Sequence, residues 1–251
     1  MSIPVPFTPA PGLLKDRVIL ITGASGGLGR ALSLGCARAG ASVVLCGRNG
    51  ARLERLYDEI VQLGLAQPAI AVLDLASAHA GDYDRLAESL ASEYGRLDGL
   101  VHAAALLGDR TPLEQYHVPT WCRVLHVNLT APFILTQVLL PSLRKSADAS
   151  IVFVSSGVVQ RPRPFWGAYA VSKCGLEAVR AMLALELERE SHIRVNSVNP
   201  GPMRTPMRAA AYPAEDAQKL PEPAAVTGAF LYLLSAQGRG IDGQYLDAQG
   251  S

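Results

Sequence analysis

The chain has 251 residues, 49% of them hydrophobic and 18% charged, with a formal net charge of +1. That length suits one α/β domain with a sizeable core, and the near-neutral balance excludes the broad basic field that non-specific nucleic-acid binding requires. Cys36, Cys46, Cys122 and Cys174 form no CxxC pair and have no histidines at metal-ligand spacing, so neither a metal site nor a disulfide framework is expected and all four read as buried, reduced thiols.

Residues 1–14 read as a proline-rich N-terminal extension without the charged and apolar regions of a secretory signal. No apolar run reaches the roughly 20 residues of a membrane-spanning helix. The expectation is a soluble, cytoplasmic protein with a small-molecule partner, and with neither membrane nor nucleic acid.

From Arg17 onward, short β-branched runs alternate with helical patterns. The first run, Val18-Ile19-Leu20-Ile21, leads directly into Thr22-Gly23-Ala24-Ser25-Gly26-Gly27-Leu28-Gly29, a glycine-rich turn that opens a helix near Gly27. Gly23, Gly27 and Gly29 would allow a tight turn, close approach to a pyrophosphate and close helix-strand packing, while the helix N-terminus offers amide donors. An isolated turn of this kind is usually only a turn; a strand before and a helix after point to a dinucleotide.

The second run, Val43-Val44-Leu45, ends in Gly47-Arg48-Asn49, with Arg48 standing 19 positions after Gly29. Folds that prefer NAD carry an acid here. A guanidinium without a carboxylate favours NADP(H) over NAD(H), unless Arg48 is simply a solvated surface arginine. A helix begins near Asn49, and the third run, Ile70 to Leu73, ends in Asp74-Leu75, which would flank an adenine or merely turn the chain. After a helix near Asp82 comes the fourth run, Leu100-Val101, followed by His102-Ala103-Ala104-Ala105. His102 reads as a packed strand-end residue.

A helix from about Pro119 precedes the fifth run, Ile151 to Val154, which ends in Ser155-Ser156. Tyr169 lies 13 residues beyond Ser156 and Lys173 follows it at i+4, on the same face of a helix beginning near Trp166. An ammonium beside the phenol is expected to lower its pKa and make Tyr169 a proton donor or acceptor close to neutrality. Arg161, Arg163, Phe165, Trp166 and His117 are candidates for a substrate wall. After the sixth run, Val195 to Val198, the segment 202–220 carries Pro202, Pro206 and Pro213 and interrupts the alternation, as a substrate lid would. A helix from about Pro223 and a seventh strand, Gln244 to Leu246, close the chain.

This alternation predicts a single-domain, doubly wound Rossmann fold spanning 1–251, with a seven-stranded parallel sheet flanked by helices on both faces. Function is expected beyond the carboxyl ends of the strands.

On the glycine turn, Asn128, Ser156, Tyr169-Ala170-Val171-Ser172-Lys173 and Asn199-Pro200-Gly201 with Thr205, the chain resembles the short-chain dehydrogenase/reductase family from Arg17 to about Asp247. Within it, Ala105-Leu106-Leu107-Gly108-Asp109, Trp166-Gly167-Ala168, Arg204 to Ala209 and Gln218-Lys219-Leu220 make it most similar to the YciK-type bacterial oxidoreductases. The resemblance implies hydride transfer between NADP(H) and a carbonyl/alcohol substrate. Asn128, Ser156, Tyr169 and Lys173 would be catalytic: Tyr169 moves the proton, Ser156 holds the same oxygen, Lys173 also binds the nicotinamide ribose, and Asn128 holds a water linking Lys173 to solvent. Asn128 has a second reading, a helix-interior polar residue satisfied locally.

The cofactor would be bound by Gly23, Ser25, Gly27, Leu28, Gly29, Arg48, Asp74, Leu75, Ala104, Tyr169, Lys173, Pro200, Gly201, Met203 and Thr205. One departure is His102-Ala103-Ala104-Ala105, where the family usually has Asn-Asn-Ala-Gly. A rival from another class is a catalytically silent NADP(H)-binding sensor or scaffold, which has no need to keep all four catalytic residues. The excess of apolar positions on the helix near Trp166, together with the resemblance, implies a homodimer or homotetramer.

Overall fold

In the computed structural model, residues 7–190 and 192–250 are described, and the first six residues of the N-terminal extension lie outside them. The apolar runs become β1 (Val18–Thr22), β2 (Ser42–Gly47), β3 (Ala69–Val72), β4 (Gly99–His102), β5 (Ala149–Val154), β6 (Ile193–Asn199) and β7 (Tyr245–Asp247). Between them run α1 (Gly27–Arg38), α2 (Gly50–Gln62), α3 (Ala80–Tyr94), α4 (Val118–Leu125), α5 (Ala131–Leu143), α6 (Gly167–Glu186), α7 (Pro206–Ala211) and α8 (Thr227–Leu234). The strands form one parallel sheet in the order β3-β2-β1-β4-β5-β6-β7. Successive connections run outward one way from β1 and then the other way from β4, so the gap above these two strands is the switch point where open α/β sheets bind ligands.

The sheet is covered on both faces, which explains why its central strands are apolar without alternation. On β1, Ile19 and Ile21 pack with Leu32 of α1, Leu53 of α2 and Phe230 of α8. Leu20, between them, points the other way, toward the core of Tyr83 from α3, Leu135 and Leu139 from α5 and Leu176 from α6. Fully burying a leucine, isoleucine or phenylalanine side chain contributes about 1.5–3 kcal/mol, so both layers are needed to hold β1 and β4 under the site.

Two expectations need correction. The run Val118–Leu143 is one helical stretch, α4 and α5 joined through a π-helical turn at His126–Thr130, and by length and a mean hydropathy of 1.4 it could span a membrane. Arg123 and His126 interrupt the apolar letters without interrupting the helix. In the structure Val127, Ala131, Leu135, Leu139 and Leu143 are buried in the core beneath the sheet. Among the cysteines, Cys36 and Cys46 are buried, and burial pushes both thiols up to about 12. Cys122, on α4, and Cys174 are exposed instead; α6 turns Lys173 inward and Cys174 outward.

Candidate active site

A cleft of about 850 Å³ opens at the carboxyl ends of the strands. One end is made of main chain. Gly23 follows β1 with φ 66°, a left-handed conformation natural only to glycine, and a Cβ there would lie 2.8 Å from Ala104 Cα. The hydroxyl of Thr22 accepts from Ala104 N at 3.1 Å and donates to Val101 O at 3.4 Å, tying the turn to the chain leaving β4. A Cβ on Gly29 would run into Gly23 O, and one on Gly27 would lie 2.7 Å from Thr205 Cγ2. No side chain caps α1 and its first turn carries no acid, so its leading amides face the cleft as free donors for an anion.

At the rim of this end stand the exposed Arg48 and, one helical turn on, Arg52. Asn49 caps α2 by accepting from Arg52 N at 3.0 Å, which places both guanidiniums on the cleft. Neither forms a salt bridge among the described residues. Asp74 folds back on Ala76 N at 3.1 Å and Leu75 is buried beside it. Every residue assigned to the cofactor from sequence lies on the cleft wall. Arg52 was missed there, although its i+4 spacing from Arg48 is legible.

Midway along the cleft, Ser156 ends the strand layer and Tyr169 and Lys173 project from α6. Lys173 is buried and donates from Nζ to Val154 O at 2.6 Å, with the ammonium 5.8 Å from the Tyr169 ring centroid. Burial pulls the Lys173 pKa down to about 8, against the opposing pull of Glu177. For Tyr169 the expected direction is overturned: burial pushes the phenol above its ordinary value, opposed only by a hydrogen bond with Ser156. Lys173 spends its closest contact on the Val154 carbonyl rather than on the phenol.

Asn128 does not line the cleft. It sits in the π-helical turn, where Oδ1 accepts from Leu106 N at 2.7 Å and Nδ2 donates to Leu106 O at 2.9 Å and Ser172 Oγ at 3.1 Å. Its side-chain amide is therefore engaged locally, as the second of the two readings of this residue has it. His102 is packed, as its position implied: the ring stacks on Phe153 at 4.8 Å and Nε2 meets Thr136 Oγ1 at 2.9 Å. Because Thr136 gives its only proton to Pro132 O, it accepts from His102, leaving Nδ1 unprotonated and without a partner. Burial pulls the His102 pKa down to about 3.

The far end is made of side chains. Trp166 lies 5.5 Å from the Tyr169 ring and 5.9 Å from Tyr212. Arg161, Arg163 and Arg208 complete the wall, whereas His117 is exposed on Thr120 and Phe165 points outside it. The 202–220 segment is folded on itself: Thr205 caps α7 by accepting from Arg208 N at 3.2 Å, and Arg204 donates to the carbonyls of Ala217, Gln218 and Leu220. It brings Met203, Thr205, Met207, Arg208 and Tyr212 to the cleft. Arg208 and Tyr212 were not singled out from sequence, for their approach depends on how the segment folds back.

Residues 17–216 match the family model described as short chain dehydrogenase. The chain is 43% identical to the oxidoreductase YciK of Escherichia coli strain K12, covering 97% of this chain and 96% of that protein. A short chain dehydrogenase from Pseudomonas syringae superposes with a TM-score of 0.96 at 46% identity, covering 99% of this chain and all of that one. Another, from Shigella flexneri 2a strain 301 complexed with NADP, superposes with a TM-score of 0.93 at 43% identity, covering 96% of this chain and all of that one.

Proposed function

This chain belongs to the short chain dehydrogenase family and is an oxidoreductase of that family, and we propose that it transfers hydride between NADP(H) and a carbonyl/alcohol pair, with Tyr169 exchanging the proton. The observation that carries this reading is one cleft lined by Ser156, Tyr169 and Lys173 at its middle and by the glycine turn and Arg48 at its end. The fit to a dinucleotide rests on the uncapped α1 amides, the turn that leaves no space for a Cβ at Gly23, and two guanidiniums at the ribose-phosphate rim free of ion pairs among the described residues. The NADP complex of the Shigella relative supports it.

Bound nicotinamide supplies the hydride for reduction or takes it in oxidation. Tyr169 gives its phenolic proton to the carbonyl oxygen during reduction and recovers one from the alcohol during oxidation, while Ser156 holds that oxygen. Its raised pKa keeps the phenol protonated in the free protein, the form that reduction needs. Lys173 is anchored on Val154 O and keeps N–H donors for the ribose hydroxyls. Asn128 is a positioning residue, fixing Leu106 on the cleft floor and Ser172 beside Tyr169. Residues 202–220 act as the substrate lid.

The test is a panel of carbonyl compounds with NADPH oxidation as readout. Tyr169→Phe should keep NADPH binding and lower turnover by about 10²–10⁴-fold. Near-wild-type turnover in the variant refutes the mechanism, and NADPH binding without reduction of any compound favours the silent sensor. The protein also pairs with copies of itself through α6 and the helical stretch that begins near Pro119, Val118–Leu143, whose outer faces expose Val118, Phe133, Val171, Met182 and Leu185. Light scattering at micromolar concentration should show a dimer or tetramer; a clean monomer counts against this pairing.

A further inference from the structure

Beyond Tyr169 the cleft continues as an apolar strip and ends in cations. Tyr169, Trp166 and Tyr212 follow one another in ring contacts of 5.5 and 5.9 Å, with Val158, Met207 and Ala211 in the same cluster. At Tyr212 the strip meets Arg163 and Arg208, and Arg161 lines the same cleft, while the only carboxylate on the lining among the described residues, Asp74, follows β3 at the opposite end.

These arginines are not equivalent. Arg208 is neutralised by a two-pronged contact with Glu215, both prongs 2.6 Å. Arg161 and Arg163 form no salt bridge among the described residues. Arg163 instead donates to the Tyr212 hydroxyl at 3.1 Å, and that ring already has Arg208 over it at 3.9 Å and Arg110 at 5.4 Å. Three guanidiniums around one phenol, with one carboxylate among them, leave surplus positive charge beside the cleft. Like charges so placed repel unless a counter-charge joins them.

The loop holding them is stiff. Arg161 and Arg163 alternate with Pro162 and Pro164, whose rings fix φ, and Phe165 follows at φ 69°, a left-handed conformation unfavourable for a bulky side chain. Phe165 is 51% exposed, so packing does not account for it. A merely solvated basic loop needs neither the stiffness nor the strain; a cation site held at fixed distance from Tyr169 benefits from both.

We propose that the substrate is a carbonyl compound bearing a remote carboxylate, which Arg161 and Arg163 bind at the end of the apolar strip while its carbonyl meets Tyr169. This inference rests on the oxidoreductase reading of the same cleft. Guanidinium forks match a carboxylate, and the ring strip between Tyr169 and Tyr212 suits an apolar, aromatic spacer between carbonyl and carboxylate.

The NADPH-loaded protein is titrated calorimetrically with 4-methylbenzoate and with its methyl ester, a pair that cannot be reduced, so binding is read without turnover. The acid should bind about ten- to a hundredfold more tightly than the ester, and the preference should shrink as salt rises and fall to near unity in Arg161→Gln/Arg163→Gln. Acid binding that is absent, or no tighter than that of the ester, overturns the proposal. In parallel, 4-formylbenzoate and its methyl ester are offered as substrates with NADPH oxidation followed, and the acid should have the higher kcat/KM by a similar factor. Selective acid binding without reduction of either aldehyde keeps the carboxylate site and counts against the oxidoreductase reading. Reduction of both aldehydes with equal kcat/KM and equal binding removes the carboxylate site alone.

Discussion

At the nucleotide end of the cleft the wall is backbone: glycines that admit no Cβ, the open amides of α1, and a strand-to-strand tie through Thr22. At the substrate end it is long side chains on a proline-rich loop and a folded-back segment, held by ring contacts and hydrogen bonds among themselves. Main chain tolerates almost no change of residue where it touches a ligand, whereas side chains can be exchanged without disturbing the sheet. A single scaffold thereby keeps one cofactor and can change substrates.

If the backbone end is as unforgiving as its geometry implies, Gly29→Ala should be the most damaging change, since the added Cβ meets the Gly23 carbonyl and the turn must open. Losing two or more charge-assisted amide contacts should weaken NADPH binding by about a hundredfold or more, as measured by nucleotide fluorescence. A variant that binds normally would show that the turn is softer than described.

Arg48→Ala probes the one place where the nucleotide end relies on a side chain. NADPH affinity should fall about ten- to a hundredfold, with NADH affinity little changed. If Arg52→Ala carries the larger loss, the phosphate is read one helical turn further on.

His102 offers a smaller, graded effect beneath the same end. Its folded-state pKa of about 3 lies below the ordinary 6.5, so between these values the unfolded chain binds a proton that the folded chain refuses. Stability from this residue is complete above about pH 6.5 and is lost as pH falls toward 3, by at most about 1.4 kcal/mol per pH unit. Urea midpoints at pH 7 and pH 5 should draw closer together in His102→Asn than in the wild type.

The same division decided what the sequence could tell. Strands, helices and the glycine turn are encoded within a few consecutive residues, so β1 through α1 was legible almost to the residue, as were Arg48 and the Ser156, Tyr169 and Lys173 spacing. Tyr212 and Arg208 reach the cleft only through the way Arg204 gathers three carbonyls, and no local pattern announces that. Tyr169 was misjudged for a related reason: its i+4 relation to Lys173 is visible in the letters, but the burial that outweighs it and the carbonyl that diverts the ammonium are not. Asn128 showed the same gap, since its partners come from the loop after β4 and from α6.

Gly27 begins the helix that would receive the pyrophosphate, and Thr205, its neighbour at less than a methyl's width, begins the first helix of the proposed lid. Two elements in such contact cannot settle independently. A nucleotide that stiffens the turn would also set the threshold over which the second molecule passes, an arrangement expected to favour an order in time: nucleotide first to arrive and last to depart.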